Sequence, residues 1–227
     1  MLASLGGVLL GLLLGLRHAF EPDHLTAVST LVVETRDARR GAVLGAIWGI
    51  GHTVSLAVAG TLLLVTGHAL SARAAAAFEL AVAAMLVLLG ARSLVRAVLD
   101  GERGPVHRHR HGDDEHVHPG RGDHVHLAGW TVAVRPLIVG LVHGLAGSGA
   151  LTALVFSALP TLATRVVYLV LFGIGSIAGM AIASGVTGAW LYRVAGAPSR
   201  RRAFSIATGL LSIGVGIAWA IPELRAI

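Results

Sequence analysis

The chain contains no cysteine. Disulfides, thiolate metal sites and thiol nucleophiles are therefore excluded. It contains no lysine either, so every fixed positive side chain is an arginine. Charge of both signs is scarce: 13% of the 227 residues are charged against 55% hydrophobic, and the mean hydropathy is +0.76. That balance excludes an ordinary soluble domain and indicates a polytopic membrane protein. No G-x4-G-K-[ST] run is present, so the chain itself does not hydrolyse ATP, and no H-E-x-x-H is present. Methionine is limited to Met1, Met85 and Met180. With cysteine absent, soft ligands for Cu⁺ are nearly lacking. The N-terminus has no basic n-region and no small-x-small cleavage site, so its apolar run is expected to be a retained span.

What is present is hydrocarbon in long runs. Six apolar spans are expected at roughly 4–32, 42–66, 75–99, 131–157, 166–191 and 203–222. Each can cross a core about 30 Å thick, which needs about 20 helical residues. The pI near 11.3 would suggest nucleic acid in a soluble protein. Here the arginines sit in short connections between spans, where topology signalling accounts for them, and nucleic acid is not an expected partner. Connections after spans one, three and five, with their helix ends, hold thirteen arginines, among them Arg36, Arg39, Arg40, Arg200, Arg201 and Arg202; the opposite side holds Arg73, Arg165 and Arg225. The positive-inside rule then puts the long connection 100–129 in the cytoplasm and both termini outside, in a bacterial or archaeal cytoplasmic membrane.

The two halves repeat. Gly15-Leu16-Arg17-His18 matches Gly140-Leu141-Val142-His143, and Leu25-Thr26-Ala27-Val28 matches Leu151-Thr152-Ala153-Leu154. Gly49-Ile50-Gly51 matches Gly173-Ile174-Gly175, and Phe78 and Gly90 match Phe204 and Gly216. A unit of three helices is odd, so a second copy enters the membrane upside down. The expected fold is all-α, with six transmembrane helices as two inverted three-helix repeats: 1–99, a His-rich cytoplasmic loop at 100–129, and 130–227. Glycines four apart, such as Gly7, Gly11 and Gly15 or Gly41, Gly45 and Gly49, form faces that let membrane helices approach closely.

Within this hydrocarbon, His18-Ala19-Phe20-Glu21-Pro22-Asp23-His24 gathers two histidines and two carboxylates around a proline. Ionisable groups at membrane depth mark function by default. On an unbroken helix, Asp23 would sit about 140° around from His18 and His24 about 120° the other way. Pro22 cannot donate to the carbonyl of His18, and its ring clashes there, so the helix should kink or unwind before it. His18, Asp23 and His24 can then converge, joined by His52 from span two and by His143, the counterpart of His18. Imidazoles with one carboxylate suit Ni²⁺, Co²⁺ or Zn²⁺. For His143 taken alone, an interhelical hydrogen bond is the competing reading. Arg17 and Glu21, four apart, can pair across one turn, which would leave Asp23 free for metal; alternatively Glu21 is itself a ligand. In the second half, Gly144, Gly147, Ser148 and Gly149 replace Ala19, Pro22, Asp23 and His24, and Ser176 replaces His52. The site should therefore be asymmetric, with most ligands in the first half and Ser148 in support.

The connection at 107–126 carries His107, His109, His111, His116, His118, His124 and His126 with Asp113, Asp114, Glu115 and Asp123. Such a tract cannot pack a core and is expected to be disordered. Its composition is that of a weak, secondary metal-binding segment, against the alternative of a tolerated linker.

At these residues the chain resembles a known family. R-H-A-F-E-P-D-H at 17–24 is similar to the signature of the nickel/cobalt transporter superfamily, and Gly51-His52-Thr53 to its Gly-His-Ser/Thr element in the next helix. The six-span form, and Leu141-Val142-His143-Gly144-Leu145-Ala146-Gly147-Ser148 opening the second half, most resemble its UreH-like branch, which is associated with nickel supply to urease. The resemblance covers both halves and implies that His18, Asp23, His24 and His52 bind the transported ion. The common signature has Asp-Ala where this chain has Glu21-Pro22, and the acidic motif of larger importers is not found in a later helix.

The reading is a secondary carrier of Ni²⁺, with Co²⁺ as the second candidate, and no resident cofactor. A Ni/Co efflux permease is the alternative, because a long His-rich loop also resembles the efflux members. A membrane metal sensor or the binding subunit of a larger uptake complex is the alternative of another class. An intramembrane metalloenzyme is disfavoured for want of a general base beyond the ligands. A His/Asp cluster is poor chemistry for anion export. The expected partners are the divalent ion and the bilayer; a homo-oligomer and a cytoplasmic metallochaperone are further candidates.

Overall fold

The computed structural model describes residues 2–33, 37–66, 71–99, 106–111, 114–119, 124–127, 130–145, 159–195 and 197–226. Among these are seven helices: α1 (Leu2–His18), α2 (Pro22–Val32), α3 (Ala38–Thr66), α4 (Ala72–Leu99), α5 (Val134–His143), α6 (Leu162–Val194) and α7 (Pro198–Ala226). Four of them, α3, α4, α6 and α7, are long and apolar enough to cross a membrane. At 1.5 Å per residue, the 33 residues of α6 reach about 50 Å. The first expected span is divided between α1 and α2. The fourth begins with α5, and most of its remainder lies outside the described residues.

The helices pack in a set of close pairs. α3 lies against α5 and α6, α1 against α6, and α4 against α7, while α2 touches α7, α6 and α4. Glycine makes these contacts: a methyl group on Gly15 would run into the carbonyl of Phe172, one on Gly140 into the carbonyl of Trp48, and one on Gly90 into the carbonyl of Gly209. The order of contacts gives the directions. Gly11 meets Tyr168 and Gly15 meets Phe172, so α1 and α6 run parallel. Gly41 meets Ser184 and Gly49 meets Ile177, so α3 and α6 run antiparallel. Hydroxyls tie the same pairs, with Ser212 Oγ donating to the Leu86 carbonyl at 2.8 Å and Ser93 Oγ to that of Ser205 at 2.9 Å.

Inside, Ala27, Val28, Val32, Trp48, Leu86 and Met180 form part of one buried apolar cluster. Outside, the faces are apolar too: Leu13, Val58, Leu88, Val170, Val186 and Leu210 are all exposed. In water such a surface would aggregate; lipid is its natural cover. The chain is an integral membrane protein.

Between α4 and α5, two antiparallel strand pairs are described, β1 (Val106–His111) with β2 (Asp114–Pro119), and β3 (His124–Leu127) with β4 (Trp130–Ala133). The rest of the 100–129 segment, expected to be disordered, lies outside the described residues. The His-x-His-x-His alternation has the period of two that a strand needs, and it places His107 opposite His118, His109 opposite His116, and His111 opposite Asp114. β4 also takes residues 131–133, which the sequence assigns to the start of a span.

Candidate metal centre

The site begins where the first span breaks. α1 closes with short turns, Phe20 N–H donating to the Arg17 carbonyl at 2.9 Å and Glu21 N–H to that of His18 at 3.0 Å. Glu21 is extended, with φ −66° and ψ 150°, and Pro22 opens α2 at its first position. Proline fits there because that N–H has no helical partner in any case. His18 is thus the last residue of one helix, and Asp23 and His24 lie in the first turn of the next. The proline break brings together what a straight helix would hold apart.

Two further helices complete the cluster. His52 sits in the middle of α3 and His143 at the end of α5. The backbones of these helices touch through glycine. A methyl on Gly140 would meet the Trp48 carbonyl, one on Gly144 the His52 carbonyl, and one on Gly51 the Leu137 carbonyl. His18, Asp23, His24, His52 and His143 are all buried, His52 completely.

The distances are those of a ligand cluster. His18 Nε2 lies 3.1 Å from His52 Nε2. Two nitrogens bound at 2.0–2.1 Å to one ion lie about 2.9–3.4 Å apart across angles of 90–110°, so this pair needs little adjustment. His143 Nε2 donates to Asp23 Oδ2 at 2.7 Å, and His24 Nδ1 lies 3.2 Å from Asp23 Oδ1. The donor atoms fall into two groups, His18/His24/His52 and Asp23/His24/His143, each with all its atoms within 4.8 Å of one another.

Among the described residues, Asp23 Oδ1, both ring nitrogens of His24, and the Nδ1 atoms of His52 and His143 are buried without a hydrogen-bond partner. Leaving a buried polar group unsatisfied costs about 1–3 kcal/mol. A cation bound by Asp23 Oδ1 and one nitrogen of His24 offsets part of that cost, and Asp23 supplies one of the negative charges that a divalent ion requires in a low dielectric.

Glu21 takes a different role from the expected one. Its Oε2 lies 3.0 Å from His18 Nδ1, and no ion pair joins it to Arg17, which is exposed on α1. The break at Pro22 ends the helical spacing that an Arg17–Glu21 pair would need. A carboxylate that accepts the Nδ1 proton fixes the tautomer of His18, leaving the Nε2 lone pair for metal. Pro22 is exposed, and Ser148 lies outside the described residues. The seven loop histidines lie on β1, β2 and β3, away in sequence from this cluster.

Sequence reasoning missed Trp48. Its ring stacks on His24 with centroids 5.4 Å apart and lies 5.7 Å from His143. The available signal was its position four residues before His52, which puts both on one helical face. Phe172, 5.7 Å from the His18 ring, was missed as well.

The match to the NicO family, described as high-affinity nickel-transport protein, spans residues 4–223. The urease accessory protein UreH of Bacillus sp. (strain TB-90) is 32% identical over 171 residues, covering 75% of this chain and 71% of that protein. No solved structure matches. With that match spanning most of the chain, the chain belongs to the NicO family of high-affinity nickel-transport proteins.

Proposed function

We propose that this chain is a secondary carrier that moves Ni²⁺, and Co²⁺ as a second substrate, through the buried His/Asp cluster at the break of the first span. One observation carries the reading: five buried ligand side chains from three separate segments meet within donor distance of one another, and Asp23 and His24 carry buried donor atoms without a hydrogen-bond partner among the described residues. Nitrogen donors with one carboxylate and no sulfur match late divalent ions. The ligands bind metal in their deprotonated forms, so binding weakens as pH falls. The cluster acts as a carrier site rather than an enzyme centre.

The architecture proposed for transport is a pair of inverted three-helix repeats. Reciprocal contacts support it. Gly15 meets Phe172 while its counterpart Gly140 meets Trp48; Gly175 meets Leu12 while Gly51 meets Leu137; Gly90 meets Gly209 while Gly216 meets Ala83. A constant offset of about 125 residues exchanges each contact with its mate, as a twofold axis in the membrane plane would. Alternating access is then one repeat rocking against the other about His18 and His143. The arginine distribution supports termini outside and the 100–129 segment inside.

Inward movement is the favoured direction, because the similar UreH is described as a urease accessory protein. The His-rich segment, whose histidines we assign to weak metal capture at the cytoplasmic mouth, would also serve efflux. The test is flux of each metal by the purified protein in proteoliposomes, with the gradient imposed in both directions. Ni²⁺ movement by the protein alone supports the carrier; tight binding with no movement in either direction makes it a sensor or the binding subunit of a larger complex.

A further inference from the structure

The ligand cluster does not present itself as one five-donor cage. Its atoms divide into two overlapping groups of three, an all-imidazole set of His18, His24 and His52, and a mixed set of Asp23, His24 and His143. His24 is the shared member. Its ring centroid lies 4.2 Å from that of His18 and 4.1 Å from that of His143, and both its nitrogens are buried without a hydrogen-bond partner among the described residues. We infer that the site consists of two adjoining cation positions that share His24 and are filled one at a time, so that the ion passes from one set to the other during transport.

The chemistry of a neutral imidazole makes the two positions exclusive. Such a ring has one N–H and one lone pair. His24 Nδ1 is the nitrogen beside Asp23, 3.2 Å from its Oδ1. An ion in the mixed set therefore takes the Nδ1 lone pair, and the ring proton sits on Nε2. An ion in the all-imidazole set takes the Nε2 lone pair, and the proton sits on Nδ1, where Asp23 accepts it. With the all-imidazole set filled, the His24 N–H faces Asp23 Oδ1. The two occupancies thus require opposite tautomers of His24, and the ring carries one proton in each.

The positions also lie on different helices. His52 belongs to α3 and His143 to α5, while α1 and α2 supply the rest. Motion that opens α5 from α2 weakens only the mixed set, and motion that moves α3 from α1 weakens only the all-imidazole set. Two weaker triads suit a carrier better than a single five-ligand site, because release requires breaking only one set. This inference rests on the carrier reading, yet its test is a binding measurement that stands without flux.

The experiment is Co²⁺ titration of the purified full-length protein in detergent, followed by the visible absorption of the bound ion, with proteoliposome flux measured alongside. The proteins are wild type, His52→Ala, His143→Ala, the double variant and His24→Ala; circular dichroism and size-exclusion profiles establish that each is folded, and His52→Gln and His143→Gln replace any that is not. Wild type should bind one Co²⁺ per chain tightly, above the weak binding that the His-rich segment gives in every variant. Each single variant at 52 or 143 should keep one tight Co²⁺, with distinct spectra for the surviving N₂O set and the surviving N₃ set, and with flux lost. The double variant and His24→Ala should lose the tight site. Complete loss of tight binding in both single variants, or identical spectra in the two, would establish one undivided site, and two tight Co²⁺ per wild-type chain would contradict exclusive filling. Absence of wild-type flux with this binding pattern intact would remove the carrier reading and leave the two positions standing.

Discussion

At the scale of single residues, the proposed centre includes groups that are not themselves the proposed ligands. Glu21 holds His18 Nδ1 at 3.0 Å from the half-exposed rim of the site. Loss of such an outer carboxylate typically lowers metal affinity about 10–100-fold. Glu21→Ala should show a fall of that size in Ni²⁺ titration, and Glu21→Gln, which keeps an acceptor oxygen, a smaller one; unchanged affinity in Glu21→Ala would separate Glu21 from the site. The sequence made His18, Asp23 and His24 conspicuous because ionisable groups stand out in hydrocarbon. It could not assign Glu21 to His18, because that contact exists only after Pro22 has ended the helix. Trp48 was hidden for the opposite reason: an aromatic residue in an apolar span carries no contrast, and only the fold turns it toward His24.

At the scale of elements, the break between α1 and α2 and the contact of α3 with α5 do the positioning. Proline named the break, and the structure has it within the three residues Ala19–Glu21. Pro22→Ala should restore continuous helix through this segment and swing Asp23 away from His18. Metal binding should drop about tenfold or more, equivalent to at least 1.4 kcal/mol, while helical content stays level. Circular dichroism with Ni²⁺ titration reads both. The glycine contacts allow a second check. Adding a methyl at a filled contact typically costs about 1–3 kcal/mol. Gly51→Ala presses on Leu137 and Gly175→Ala on Leu12. Under the repeat reading the two should lower the melting temperature in detergent by similar amounts, but only Gly51→Ala, next to His52, should also impair metal binding. The paired strands between residues 106 and 133 were the least legible elements. The segment's composition speaks for solvation, and the period of two in its histidines becomes meaningful only once β1 and β2 are paired.

At the scale of the whole molecule, composition alone was enough to assign a membrane protein, since hydrophobicity with scarce charge has few other outcomes. The spans were legible to within a few residues wherever they are continuous helices, as α3 and α4 are. Orientation is open to direct test because the chain has no cysteine of its own. Ser71→Cys, before α4, should react with a membrane-impermeant maleimide from outside intact cells, and Ser199→Cys, at the start of α7, only after the membrane is opened. The reverse pattern would invert the topology and, with it, the side on which the His-rich segment lies.

The central claim is that the buried cluster at the first-span break carries the ion. It is tested most directly by Ni²⁺ flux into proteoliposomes, comparing wild type with His18→Ala and Asp23→Asn at equal reconstituted amounts. The account expects flux in wild type and its loss to the protein-free background in both variants, since each removes a member of a different ligand set. Equal flux in all three proteins would contradict it and would move the pathway away from this cluster.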